Sequence, residues 1–246
     1  MTTAAPQVHA GRRFGARALL LALAIGLLAV PFLTLVLLVE DRSAGLREVD
    51  DGARDGLHSY VRQHAVLVTA LKALSFSGST LAWTVVFVPI ALWLLWRRLY
   101  RLAAFVAITV VLSSLLNNAV KTLVHRTRPV FSDPVAHAGG ASFPSGHAQA
   151  AMVGYGVLTL VFLPALRGGW RRLAVVVAVL MVLGIGFSRV ALGVHYVSDV
   201  LAGYVLGAAW LIAMTAAFSA WRRERGRPAV RPSEGLEPEQ AQRLTP

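Results

Sequence analysis

The chain has no cysteine among its 246 residues. Disulfides and thiolate metal sites are therefore excluded, and the redox state of its compartment leaves no mark on the sequence. Lysine is almost missing too, 2 residues against 22 arginines, and with abundant Ala and Val this bias points to a GC-rich bacterial genome. Acidic residues are scarce, 12 against 24 Lys and Arg. No linker-like stretch divides the chain, and there is no internal repeat and no low-complexity tract outside the two ends, so a single domain is expected.

What the chain has instead is hydrocarbon in long uncharged runs. Its residues are 56% hydrophobic with a mean hydropathy of +0.62, arranged in blocks rather than alternating with charge as soluble domains do. Blocks at 18–39, 80–96, 102–120, 146–166, 173–187 and 200–220 each come near the ~20 residues that cross a bilayer as helix. The short ones recruit flanking residues such as Phe76 or Ser188. The expected fold is an all-α integral membrane protein, six transmembrane helices in an antiparallel bundle over 18–221. The first block exceeds the ~7–15 apolar residues of a signal peptide, so it is expected to stay as a span.

A net charge of +12 in a soluble protein would raise nucleic acid as a partner. Its distribution argues otherwise. Arg12, Arg13 and Arg17 precede the first block; Arg97, Arg98 and Arg101 join the second and third. Arg167, Arg171 and Arg172 join the fourth and fifth, and Arg222, Arg223, Arg225 and Arg227 follow the sixth. The positive-inside rule puts these clusters and both termini on the cytoplasmic side, with no nucleic-acid surface needed. Residues 1–17 then read as a cytoplasmic tail, and 222–246 as a disordered one. The segment 40–79 is too polar to span; its spacing of Leu46, Val49, Leu57, Val61, Leu67 and Leu71 suggests amphipathic helix on the outer interface. It reads either as a solvated connector or as a cap over the lipid entrance. Gly203 and Gly207 form a small-xxx-small pair for close helix packing.

Three short segments carry the chemistry. Lys121 is followed after six residues by Arg128-Pro129; Pro144-Ser145-Gly146-His147 opens the fourth block; Ser188-Arg189 is followed by His195 and Asp199. By the charge rule all of these lie at non-cytoplasmic helix ends. Lys121, Arg128 and Arg189 are fixed cations of the kind that hold phosphoryl charge, although cations at an interface also anchor headgroups. Ser145 and Gly146 sit at a helix N-terminus, where free N–H groups and the dipole favour an anion. His195 and Asp199, four apart, share a helix face, so the carboxylate can accept the imidazole Nδ1–H; alone, such a pair could also be a capping contact.

In order and spacing these segments resemble the three signature motifs of the type 2 phosphatidic acid phosphatase (PAP2) superfamily, with no substitution at a defining position. Val197 stands where many relatives carry proline, between motif positions. The resemblance runs from about Lys121 to Gly203 and implies a metal-independent membrane lipid phosphatase. It assigns His195 as the nucleophile that becomes a phosphohistidine, His147 as the general acid for the leaving alkoxide, and Asp199 as the partner of His195. Lys121, Arg128, Ser145, Gly146 and Arg189 become the phosphate-binding set, with no metal and no cofactor. Arg126, His125 and His137 stay outside that core set. The implied substrate is a membrane lipid phosphate in a bacterial plasma membrane: undecaprenyl diphosphate, phosphatidic acid or phosphatidylglycerol phosphate. The outward-facing site leans the reading to the diphosphate. A phosphotransferase would use the same residues; a transporter would hold its charges nearer the midplane.

Overall fold

The structure, a computed structural model, describes residues 26–224 and 234–244. Among these there is no β-strand, and eight α-helices follow in order: α1 Gly26–Glu40, α2 Ala44–Arg62, α3 Ala65–Phe76, α4 Thr80–Trp96, α5 Tyr100–Val124, α6 Gly146–Phe162, α7 Gly169–Ala191 and α8 Val197–Glu224. Four of them, α5 to α8, are long and apolar enough to cross a membrane. α3 and α4, bent by 43° at the break between them, make a fifth if they form one span. Six were expected from the sequence. The first block appears only as α1, which is shorter than a span, and residues 18–25 lie outside the described residues, as does the tail 1–17.

Helix ends follow local chemistry. The Ser79 hydroxyl accepts the Ala82 N–H at 3.1 Å and starts α4, and Ser145 does the same for Ala148 at the head of α6. His125 in the left-handed region (φ 45°) stops α5. Beyond α7 the chain turns at Gly193 (φ 72°), where a Cβ would stand 2.6 Å from Phe131 and 2.9 Å from His58. Glycine is needed there for both conformation and space.

α6 is the centre of the bundle and packs against α4, α5, α7 and α8. Its closest neighbour is α8, and the expected glycine pair explains the fit. A Cβ on Gly203 would come within 2.6 Å of the Ser145 carbonyl, and one on Gly207 within 2.9 Å of Met152. The main apolar core, with Trp83, Phe87, Phe105, Val153 and Val157, fills the space between α4, α5 and α6.

Three expectations need correction. Lys121 lies inside α5, in its last turn, because the helix runs past its apolar block into polar sequence. The 40–79 segment is no mere connector: α2 packs on α7 and α8 and buries Asp50, His58 and Val61. The tail is also more ordered than its composition implied. Residues 234–244 carry a 3-10 turn, Pro238–Arg243, whose neighbours Leu236 and Leu244 join the main core, while Glu239 pairs with Arg222.

Candidate active site

Four helix ends meet in one place. The last turn of α5 brings Lys121, the start of α6 brings Ser145, Gly146 and His147, the last turn of α7 brings Arg189, and the approach to α8 brings His195 and Asp199. The loop 125–145 adds Arg128. The turn after α7 is tied down by its own backbone, since the Arg189 carbonyl accepts N–H from both Val194 and His195. His195 is thereby fixed beside Arg189.

The hydrogen bonds assign the imidazole tautomer. Arg128 Nη1 is 3.0 Å from His195 Nε2, and a guanidinium only donates, so Nε2 must accept. The proton is then on Nδ1, which faces Asp199 Oδ2 at 3.3 Å. Nε2 carries the unprotonated lone pair, which accepts the Arg128 N–H and points at a cation rather than at solvent. Burial pushes the His195 imidazolium down to about 4, against the pull of the Asp199 hydrogen bond and charge, so the ring is neutral at ordinary pH.

Asp199 is held from every side. Oδ1 accepts Arg126 at 2.7 Å; Oδ2 accepts the Tyr196 N–H at 3.0 Å and the Ser142 hydroxyl. Arg126 spans to a second buried carboxylate, Asp50 of α2, at 2.8 Å, and stacks over the Tyr196 ring at 4.1 Å. Asp50 in turn accepts both the Ser198 N–H and the Ser198 hydroxyl. Burial lowers the Arg126 guanidinium, yet the charges of Asp199 and Asp50 outweigh it and raise the group above its ordinary value.

The remaining cations are satisfied without being neutralised. Lys121 Nζ donates to the Ala141 carbonyl at 2.6 Å. Arg128 donates to the carbonyls of Gly140, Ala141 and Val194 at 2.8–3.2 Å, and burial pulls its guanidinium below the ordinary value. Arg189 is buried, donates Nη1 to Ser75 of α3, and its Nε makes no hydrogen bond. A carbonyl or hydroxyl completes an N–H bond but leaves the positive charge in place. Lys121 and Arg128, both half-buried, and the buried Arg189 therefore form a cluster of like charge, an arrangement suited to an anion. His147 lies within the electrostatic reach of all three and of His195.

Two residues of the expected set also serve the fold. Ser145 is fully buried, with its hydroxyl turned to the first turn of α6 as a cap. A Cβ on Gly146 would meet Asn117 Oδ1 at 3.2 Å, so its smallness serves the α5–α6 seam. Sequence reading missed Asp50, Ser75 and Ser142, and set Arg126 aside. One signal was available: Asp50 falls on the same helical stripe as Leu46, Leu57 and Val61, a core-facing position for a carboxylate.

Among the described residues the fold is all-helical, with four or five candidate membrane spans, and the motif residues gather where helix ends converge. The PAP2 superfamily model matches residues 102–223, and over that region the chain belongs to this superfamily. Phosphatidylglycerophosphatase B of Bacillus subtilis is 42% identical over 96 residues, 38% of this chain and 46% of that protein. Lipid A 1-phosphatase of Rhizobium johnstonii is 33% identical over 124 residues, 47% of each. The chain thus spans about half the length of these curated relatives. Among solved structures, the transmembrane PAP2-type phosphatidylglycerolphosphate phosphatase of Bacillus subtilis matches with a TM-score of 0.70 and 25% identity, covering 78% of this chain and 94% of that one.

Proposed function

We propose that the protein is a membrane lipid phosphate phosphatase working through a phosphohistidine. The observation that supports this reading is the tautomer: Nε2 of His195 is the unprotonated nitrogen, held by an Arg128 N–H at 3.0 Å that an incoming phosphoryl oxygen can take over. In the proposed cycle, Nε2 attacks phosphorus as the bond to the lipid oxygen breaks, and His147 gives that oxygen its proton. Asp199 stabilises the charge gained by the ring, while Lys121, Arg128 and Arg189 hold the equatorial oxygens. Water then attacks the phosphohistidine, releasing phosphate and restoring His195. Within this reading there are six spans, both termini are cytoplasmic, the site faces outward, and no metal takes part. The lipid chains stay in the bilayer while the headgroup slides between helices.

The test is phosphate release from a panel of lipid phosphates by purified protein in detergent. Turnover should persist in excess EDTA, and His195→Ala should lose it with loss of the acid-labile phosphoenzyme. Restoration by Mg²⁺ after chelation, or an active His195→Ala, rejects the scheme.

A further inference from the structure

Beside the cation cluster a cleft of about 490 Å³ opens between α4, α5 and α6, with Lys121 and His147 at one end. The lining of α5 changes in kind along its length. Asn118 and Ser114 follow Lys121 three and seven residues back along one face, and Val111 and Ala107 continue it deeper. At 1.5 Å per residue, Asn118 lies ~5 Å and Ser114 ~10 Å below Lys121. Cation, amide, hydroxyl and hydrocarbon thus follow in order.

The neighbouring polar residues on α5 have work within the protein. Asn117 donates to Gln149 Oε1 at 2.7 Å, and the Gln149 amide donates to the carbonyl and hydroxyl of Ser113 at 2.9 Å each. That network closes the α5–α6 seam. Ser114 and Asn118 take no part in it; both are exposed, and among the described residues neither side chain has a hydrogen-bond partner. An amide and a hydroxyl on an apolar helix facing hydrocarbon are costly unless something polar meets them.

We propose that Asn118 and Ser114 bind the ester carbonyls of a glycerolipid phosphate, so that the site selects diacylglycerol-based phosphates over polyprenyl diphosphates. This rests on the lipid phosphatase reading above. In a diacylglycerol phosphate the two esters sit on the carbon next to the phosphate-bearing one and on the carbon after it. Their carbonyl oxygens accept hydrogen bonds, lie just below the headgroup, and precede the chains. A polyprenyl diphosphate has no such band, because its hydrocarbon joins the diphosphate directly. Its retained phosphate could reach Asn118, but at the depth of Ser114 it presents only carbon. The two-turn depth of the polar pair is what separates the classes.

The experiment compares dioleoyl phosphatidic acid with its diether analogue, which has the same headgroup and chains but no carbonyls, and with farnesyl diphosphate. At about 1 kcal/mol for each of the two hydrogen bonds, the wild-type protein should prefer the diester over the diether by roughly thirtyfold in kcat/KM. In Ser114→Ala/Asn118→Leu that ratio should fall to near one through a raised KM for the diester, with Tm in detergent reporting the fold. Equal wild-type rates on diester and diether overturn the inference without need of any variant. So does a variant that slows all three substrates alike, or a wild-type preference for farnesyl diphosphate. Absence of phosphate release from every lipid tested is a different result and rejects the phosphatase reading itself.

Discussion

Both ends of the bundle are rich in arginine, and they use it in opposite ways. At the end formed by the α4–α5 and α6–α7 connections and the C-terminus of α8, the guanidinium of Arg97 lies over Trp93 and that of Arg101 over Trp221. Arg101 also reaches Glu237 at 3.4 Å, and Arg222 pairs with Glu239. These groups rest on aromatic faces or carboxylates, as anchoring cations do. At the other end Lys121, Arg128 and Arg189 bond to carbonyls and a hydroxyl, and the local carboxylates, Asp50 and Asp199, are already bridged by Arg126. The number of arginines therefore speaks to membrane orientation; what each one touches separates an anchor from an anion site.

The sharpest way to break that contrast is to remove one cation from each end. Arg189→Ala should lower kcat/KM for lipid phosphate by about 10²–10³-fold, the loss expected on removing a preorganised charge from phosphoryl transfer. Arg97→Ala should stay within about twofold, since Arg97 lies over Trp93 at the end of the bundle away from the motif residues. Phosphate release measures both, and comparable losses would erase the distinction.

A second pair of variants acts on stability. Arg126→Ala strands two buried carboxylates, which costs about 3–5 kcal/mol, whereas Arg222→Ala leaves the half-exposed Glu239 open to water and should cost less. Detergent unfolding reads the difference. Adding Asp50→Asn to Arg126→Ala should recover part of the loss, because one stranded charge disappears. If Arg126→Ala unfolds no more easily than Arg222→Ala, the network is not holding this end together.

Legibility from sequence divides along the same line. His195 and Asp199 are one helical turn apart, and the motif cations keep the spacings of the superfamily pattern, so a resemblance carried by local sequence singled them out. Asp50 reaches Ser198 across 148 positions, Ser75 reaches Arg189 across 114, and Ser142 reaches Asp199 across 57. Such pairings are made by tertiary packing and leave no local pattern. The apolar blocks were readable for the same reason that the order of 234–244 was not. A span is set by its own composition, while that segment is held by Leu236 and Leu244 docking on distant helices.

The two ends also differ in the side of the membrane they should face. On this naturally cysteine-free background, single cysteines in 130–143 should react with impermeant maleimide in intact cells. Cysteines at 97–101 or 167–172 should label only after the membrane is opened. The reverse pattern would invert the assignment of anchor and site.

The smallest expected effect is the pH response, and only one end should show it. Arginine keeps its charge through the physiological range, so the anchoring end does not titrate there. His195 does, and burial has moved its imidazolium down to about 4 from the ordinary 6.5. Since the attacking nitrogen must be unprotonated, the acid limb of kcat/KM should appear only on approach to pH 4. The sign for stability is the same: between 6.5 and 4 the unfolded chain takes up a proton that the folded ring refuses, so folding weakens as pH falls through that window. Asp199 opposes the burial, because its charge favours the imidazolium. Asp199→Asn should therefore move the acid limb lower while reducing kcat, as the ring loses the carboxylate that stabilises its charge during transfer. An acid limb near 6.5 in the wild-type protein would mean that His195 behaves as a solvated imidazole, and its burial among cations would then have no bearing on the attack.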